Sequence, residues 1–448
     1  MTVSKPGGAL QNPARVIALG FALAVAVGTL LLSLPVASAS GARASVVTAL
    51  FTATSAVCVT GLITVDTATY WSGFGEAAIL VLIQAGGLGI MTLATLVVML
   101  LFRRVGLRAR SVVQTETKAV TLADIRRVVR NVVLFSFTVE LAAAAVLTGR
   151  FFFAYNYTFL SALYSGVFHA ISAFNNAGFS IYPDSLVRFV GDAWVSLTVA
   201  GAAIVGGLGF PVWFELAHSW RRPKSWSVLT RITVMATGTL LTVGTGVMLV
   251  TEATNPDTLG GLSGEDRLLA GFFAAVMPRT AGFNSIDISA LRPETLFVID
   301  ILMFIGGGSA GTAGGIKVTT FGLLGYVIWS EMRGEPDVQV GRRRVAPANQ
   351  RQALAIALLS VGLVVASTFL MLQLTRLEFD AVLFETISAF ATVGLSTGIT
   401  ARLPTSAQLL LVVLMFVGRI GPLTVASALA VRERPRRYQL PEERTIVG

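Results

Sequence analysis

FTATSAVCVTGL at Phe51–Leu62, FHAISAFNNAGF at Phe168–Phe179, FFAAVMPRTAGF at Phe272–Phe283 and FETISAFATVGL at Phe384–Leu395 share one frame: phenylalanine, nine residues, glycine, then leucine or phenylalanine. The glycines, Gly61, Gly178, Gly282 and Gly394, lie 117, 104 and 112 residues apart, so the period is a quarter of the 448-residue chain. A second glycine follows each at a similar offset: Gly86, Gly206, Gly306 and Gly418, 25, 28, 24 and 24 residues on. A long-period repeat decides an architecture before any single motif does. Four copies of two matched landmarks predict four copies of one structural unit.

Around these segments lie long uncharged stretches, and about 20 apolar residues suffice for a helix to cross a bilayer. Ala77–Phe102, Ala193–Phe214, Ile232–Thr251 and Gln352–Thr375 are the clearest; Val16–Leu34, Val128–Leu147, Leu296–Trp329 and Gln408–Val431 are weaker, interrupted by Glu140, by glycines or by Arg419. Eight crossings are expected. The first, starting near residue 16 without a small-residue cleavage pattern, reads as a retained helix. Each repeated segment falls between two crossings and is too short to cross. Each unit therefore reads crossing helix, short re-entrant helix, glycine-bearing loop, crossing helix. The fold class expected is an all-α polytopic membrane protein with four tandem repeats, 1–103, 104–222, 223–334 and 335–448, arranged pseudo-fourfold around one central pore.

Composition agrees: 54% of residues are hydrophobic and 13% charged, about half the charge of an ordinary soluble domain. One cysteine, Cys58, excludes a disulfide framework, and two histidines, His169 and His218, offer no metal cluster. The net charge of +10 does not point to nucleic acid, because 24 of the 34 basic residues fall in the N-terminal tail, segments 103–130, 221–231 and 331–351, and the tail after 431. Short cytoplasmic loops carry such an excess. Both termini are therefore expected in the cytoplasm, with some of the positive charge against anionic lipid.

Non-helical backbone at membrane depth survives only where protein or a water-filled cavity satisfies its polar groups, so the four loops should face one another. Glycine at each apex reaches positive φ, and a ring of carbonyls can replace the hydration shell of K⁺, as in potassium channels. The candidate filter residues are Cys58, Val59, Thr60 and Gly61; Asn175, Asn176, Ala177 and Gly178; Arg279, Thr280, Ala281 and Gly282; Ala391, Thr392, Val393 and Gly394. The competing reading is that these glycines only allow close helix packing.

GGGSAGTAGGIKVTT at Gly306–Thr320 contains six glycines in its first ten residues, each costing about 1 kcal/mol in a helix relative to alanine. The helix should break there, between halves at 295–305 and 316–330. The ten residues Gly306, Gly307, Gly308, Ser309, Ala310, Gly311, Thr312, Ala313, Gly314 and Gly315 then form a flexible intramembrane loop, either a gate or an immobile packing kink. Arg419, in an apolar span, should face a pore or an ion-pair partner. Lys317 either anchors the loop or is a second pore charge. Arg279, three residues before a filter glycine, should turn away from cations and brace the loop by pairing with Glu385, Glu76 or Asp300. Glu140 reads as a buried structural partner or a coupling-ion site. Asp66, Asp184 and Asp287, just past three of the filter glycines, read as a solvated acidic face or a cation-concentrating mouth.

These four loops, with GGGSAGTAGGIKVTT and GRIGPLT at Gly418–Thr424, resemble the KtrB-type membrane subunits of bacterial Ktr potassium uptake systems in the Trk/Ktr/HKT superfamily, over nearly the whole chain. The resemblance implies a potassium-selective pore in the bacterial cytoplasmic membrane, with Gly61, Gly178, Gly282 and Gly394 as filter glycines. It implies gating by the intramembrane loop and an Arg419 barrier beneath the filter. It also implies sodium dependence, a homodimer, and a cytoplasmic ring of KtrA-type nucleotide-binding subunits, for which Arg342, Arg343 and Arg344 are candidate contacts. This chain itself carries no nucleotide motif. The alternatives are a sodium- or proton-coupled secondary transporter, which would show two related halves with broken helices in matching places rather than four quarters and one break, and a membrane enzyme, for which no catalytic constellation is present.

Overall fold

The computed structural model describes residues 13–104, 122–341, 343–422 and 424. Fifteen α-helices are found among them, joined by short 3-10 turns and one two-stranded hairpin at 339–340 and 343–344. The first quarter holds α1 (Pro13–Leu32), α2 (Val46–Val57), α3 (Thr67–Tyr70) and α4 (Gly73–Arg104). The second holds α5 (Leu122–Ala154), α6 (Phe159–Phe174), α7 (Ala193–Leu208) and α8 (Phe210–Ser219). The third holds α9 (Val228–Thr251), α10 (Gly264–Val276), α11 (Pro293–Phe304) and α12 (Val318–Met332). The fourth holds α13 (Pro347–Leu374), α14 (Phe379–Ala391) and α15 (Thr405–Ile420).

α1, α5, α9 and α13 are long and apolar enough to cross a membrane, and the α7–α8 pair would make a fifth span. They carry rows of exposed leucine, valine and phenylalanine, among them Leu23, Leu30, Leu141, Val250, Leu358 and Phe369. Such rows would be an aggregation hazard in water and are ordinary against lipid.

The four repeated segments form α2, α6, α10 and α14. Ser45, Thr158 and Ser263 cap the first three by accepting from Thr48 N, Ser161 N and Asp266 N, which satisfies a backbone donor the helix leaves open. Each short helix packs against the first helix of its own quarter: α2 on α1, α6 on α5, α10 on α9, α14 on α13. It also packs against the helix that closes the preceding quarter: α6 on α4, α10 on α7, α14 on α11, and α2 on α15, so the last quarter meets the first. Phe51, Phe168 and Phe384 and the residues after the glycines, Leu62, Phe179, Phe283 and Leu395, are all buried and pin the first, second and fourth segments at both ends and the third at its far end, where Phe272 is half-buried.

Two breaks interrupt the spans among the described residues. The glycine-rich break separates α11 from α12, starting one residue earlier and ending two residues later than expected. The other is a correction: Ala193–Phe214, read as one uninterrupted helix, bends by 97° between α7 and α8. Gly209 supplies the bend with φ +92, Pro211 begins the next helix, and a Cβ at Gly209 would strike the Ser309 carbonyl. Gly421, with φ +95 before Pro422, ends α15 in the same way. Proline two residues or one after glycine was the signal, since proline ends a helix and glycine reaches the hand required.

Candidate functional site

Each short helix runs into a turn of one pattern. The residue two before the glycine is left-handed although it is not glycine: Val59 at φ 55, Asn176 at 59, Thr280 at 70 and Thr392 at 52. Gly61, Gly178, Gly282 and Gly394 follow at φ 93, 68, 75 and 97. Non-glycine residues in this region cost about 1–2 kcal/mol each and persist where surroundings overdetermine them. The four turns meet. A Cβ on Gly61 would run into the carbonyl oxygen of Ala177; on Gly178 it would come within 3.1 Å of that of Ala281; on Gly282 into that of Val393; on Gly394 into that of Thr60. Each glycine thus abuts the carbonyl preceding the next, in chain order and back to the start.

The turns are tied to their own helices. Thr60 N donates to Ser55 O at 2.7 Å, Ala177 N to Ser172 O at 2.7 Å and Val393 N to Ser388 O at 2.9 Å. The same serines work through their side chains: Ser55 Oγ accepts from Gly61 N, Ser388 Oγ accepts from Gly394 N, and Ser172 Oγ donates to Phe179 O. The sequence reading missed these serines. Their signal was a recurrence four residues after the leading phenylalanine in three of the four segments.

The third segment has Val276 there, and its support comes from Arg279. The guanidinium lies behind the loop, buried, and donates to Thr237 O at 3.3 Å and Gly306 O at 3.2 Å. The expected carboxylate partner is a correction. Glu385 instead accepts from Ser396 Oγ and Thr400 Oγ1, Glu76 accepts from the Tyr164 hydroxyl, and Asp300 does not reach Arg279. The carbonyl of Gly306 stands where α11 has ended and has no helical donor, so it accepts from the arginine instead.

The second glycines have a shared use. A Cβ on Gly86, Gly206 or Gly418 would overlap the carbonyl of Val57, Phe174 or Phe390, four residues before the corresponding turn glycine. At these positions the packing reading of membrane glycine is the right one.

The broken segment is folded against this assembly and mostly buried, with Ala310 exposed and Ser309 and Gly315 half-buried. Gly306 N donates to Ile316 O and Val318 N to Gly307 O, closing the loop on itself. Gly308 N donates to Gly207 O at 2.7 Å and Thr312 N to Gly206 O at 3.1 Å, docking it on the end of α7. Thr312 Oγ1 donates to Phe174 O, and Gly314 and Gly315 lie against Thr392 and Ala391. Of its six glycines only Gly315 has positive φ; the other five lack room for a Cβ. Close approach, rather than backbone freedom, accounts for most of this glycine content. Arg419, 3% exposed, joins loop to scaffold by donating to Thr312 O and, at 3.0 Å, to Gly86 O. Among the described residues no carboxylate pairs with it. Lys317 stands at the start of α12 without capping it, and its ammonium donates back to Ala313 O in the loop.

On the other side the four turn glycines line a single cavity of about 500 Å³. Asp66, Asp184 and Asp287 line it too. Asp66 and Asp287 also cap short helices, and Asp184 pairs with Arg188 at 2.6 Å. Burial pushes the Asp184 carboxyl up, but the arginine outweighs it and holds the group below its usual range. Glu140 accepts from Gln84 at 3.0 Å and Asn175 at 3.1 Å, tying α4, α5 and the end of α6 together. Arg342, most of 103–130 and the tail after 431 lie outside the described residues; Arg343 and Arg344 are exposed on the hairpin.

Short helices inserted between longer apolar ones, four glycine turns sharing a cavity and a packed loop behind them define a polytopic membrane transport protein. The chain belongs to the TrkH family of cation transport proteins, whose family model matches residues 22–437. It is 42% identical over 440 residues to the Ktr system potassium uptake protein B of Bacillus subtilis, covering 98% of this chain and 97% of that protein. It is 39% identical to the protein of the same name from Vibrio alginolyticus, covering 97% and 94%. The potassium/sodium uptake protein NtpJ of Enterococcus hirae is 33% identical, covering 98% and 97%. The crystal structure of the potassium transporter TrkH from Vibrio parahaemolyticus superposes with a TM-score of 0.73 at 18% identity, covering 94% of this chain and 85% of that one, and shares the fold.

Proposed function

We propose that this chain is the potassium-conducting subunit of an uptake system in the bacterial cytoplasmic membrane. Four repeats with the boundaries given above would stand pseudo-fourfold around one pore, with eight crossings and both termini in the cytoplasm. The observation that carries the reading is the closed ring in which each turn glycine abuts the carbonyl before the next. The residues on either side of that carbonyl's residue are both at positive φ and the residue between them is not, an alternation of hand along the chain that would let successive carbonyls turn to one side as an ion-coordinating ring requires. The filter would comprise the sixteen residues named from sequence, main chain coordinating, with the cavity of about 500 Å³ as its outer vestibule. An inside-negative potential would supply about 2.3 kcal/mol per charge per 100 mV.

The segment Gly306–Gly315 would be the gate, closed as described, with Arg419 and Lys317 as its attachments and as cationic barriers. The names of the Ktr relatives support partnership with other components of such a system; the subunit would form a homodimer on a KtrA-type ring, to which any nucleotide regulation would belong. NtpJ's name supports sodium involvement. The alternating-access alternative loses one objection, since a second helix is broken. It does not account for four glycine turns converging on one cavity.

Rubidium uptake into potassium-starved cells tests the reading. Gly282→Ser, with strain at φ +75 and an obstructed Cβ, should lose discrimination against sodium. Deletion of Ala310–Ala313 should raise leak. Two variants that are produced normally and transport like the parent would refute both assignments.

A further inference from the structure

The pore helices carry two buried titratable side chains to which neither the filter carbonyls nor the gate gives a role, and they occupy equivalent places. His169 is nine residues before Gly178, and Glu385 nine residues before Gly394. Both are 0% exposed. His169 Nε2 lies 3.0 Å from Ser180 Oγ, and Glu385 Oε2 accepts from Ser396 Oγ at 2.8 Å. Those serines are likewise equivalent, each two residues past its glycine, and both line the outer cavity. The first and third repeats have Thr52 with Ile63 and Phe273 with Asn284 at the same positions, and neither pair is bonded.

Each bond is the inner end of a short network. On the histidine side, Nδ1 bonds Ser165 O at 2.8 Å, which fixes Nδ1 as the donor and leaves Nε2 to accept from Ser180. Ser180 Oγ accepts from Tyr182 N at 3.0 Å, and the Tyr182 ring stacks on the imidazole at 4.9 Å. Ser180 Oγ also lies 3.3 Å from Ser185 O, which competes with Nε2 for its one proton; Ser185 Oγ accepts from Asn284 N, and Leu186 N donates to Asn284 O, carrying the support across to the third loop. On the glutamate side, Thr400 Oγ1 donates to the second carboxyl oxygen, Ser396 Oγ and Thr400 Oγ1 lie 3.0 Å apart, and Gly398 N donates to Ser396 Oγ at 3.0 Å.

We infer that His169 and Glu385 are positioning residues for ion selectivity: each grips the chain just past a filter glycine through a buried hydrogen bond to Ser180 or Ser396. The second and fourth loops are thereby held from behind, the third is held through Ser185, and the first rests on its neighbours. The carbonyls before Gly178 and Gly394 sit between the serine of the pore helix on one side and this outer grip on the other. Releasing the grip frees one end of a three-residue turn whose carbonyl separation sets the preference for one cation radius. The inference rests on the filter reading proposed above, and its test is arranged so that the two fail separately.

The test measures rubidium uptake and its inhibition by sodium, in purified full-length protein reconstituted in liposomes. His169→Phe and Glu385→Leu keep volume and remove the acceptor; Glu385→Gln keeps one acceptor; Ser180→Ala and Ser396→Ala remove the other partner with the smallest change. Gly282→Ser, in a loop without such a grip, is the filter control. Discrimination against sodium should fall about tenfold in Ser396→Ala, the equivalent of one hydrogen bond at about 1.4 kcal/mol. Glu385→Gln should retain most of it. Glu385→Leu and Ser396→Ala combined should lose no more than Glu385→Leu alone, because that variant already removes the bond Ser396→Ala removes, together with the one from Thr400. If Gly282→Ser loses discrimination while both alanine variants, eluting and melting like the parent, keep it, the grip is refuted and the filter stands. If Gly282→Ser keeps it, the filter reading itself fails. Should His169→Phe or Glu385→Leu not fold, the alanine variants still decide.

Discussion

Replacing Arg419 by methionine removes a buried guanidinium of similar volume and with it two bonds of unlike consequence. The bond to Gly86 O stays within the scaffold; the bond to Thr312 O ties the intramembrane loop to that scaffold. A hydrogen bond from a charged donor contributes roughly 1.5–3 kcal/mol, and at 1.4 kcal/mol per factor of ten the docked loop becomes about 10- to 150-fold less favoured against any displaced position. If the loop is the gate, rubidium efflux from proteoliposomes should rise by at least tenfold until the open fraction saturates. Overall stability should move less, because a buried charge with no carboxylate partner among the described residues carries a desolvation cost that methionine removes. Arg419→Lys separates the tie from the field: it keeps the charge and loses the two-pronged donor, so flux rises if the tie dominates and stays low if the positive field does. Parental flux from a well-folded Arg419→Met protein would refute the assignment of this arginine as the fastening of a gate.

Gly418→Ala should be poorly tolerated, because its Cβ overlaps the Phe390 carbonyl, whereas Gly246→Ala on α9 meets nothing within 4 Å; thermal melting should fall for the first and hold or rise for the second, by about 1 kcal/mol of helix propensity. Glu252 accepts from Thr258, Asn255, Arg292 N and Thr295 at the end of α9. Burial raises its carboxyl, the four donors outweigh that, and the net shift is below its ordinary 4.5. A depressed folded value means that this stabilisation is full above 4.5 and is lost as pH falls through the lowered value. Melting curves below pH 4.5 should therefore flatten in Glu252→Gln relative to the parent. Charge removal at the vestibule, in Asp66→Asn with Asp287→Asn, should raise the rubidium concentration for half-maximal uptake at low ionic strength and have little effect at high salt; equal effects at both would locate the role in the caps these residues form.

The repeat was legible because its period is carried by positions that have no substitute: a turn at positive φ with another backbone against it admits only glycine. The buried phenylalanines and the apolar length of the first helix in each quarter were legible for the same kind of reason. Less visible were features that depend on three-dimensional neighbours. The bend at Gly209 looked like continuous helix because the stretch is uniformly apolar, and only the glycine–proline spacing betrayed it. Arg279 was expected to find a carboxylate, since charge seeks charge in sequence reasoning. A broken helix, however, leaves main-chain carbonyls unbonded, and the guanidinium takes those. The glycines of Gly306–Gly315 suggested looseness, yet five of the six are dictated by contacts from α7, the fourth turn and the loop itself, which no local propensity can report.

The ring of turn glycines has a handedness that a genetic selection would register. An added methyl at any of the four presses first on the quarter that follows it in the chain: Gly61 on the second, Gly178 on the third, Gly282 on the fourth, Gly394 on the first. Damage therefore propagates one way around the circle, and second-site revertants of a lesion in one loop should accumulate in its downstream neighbour.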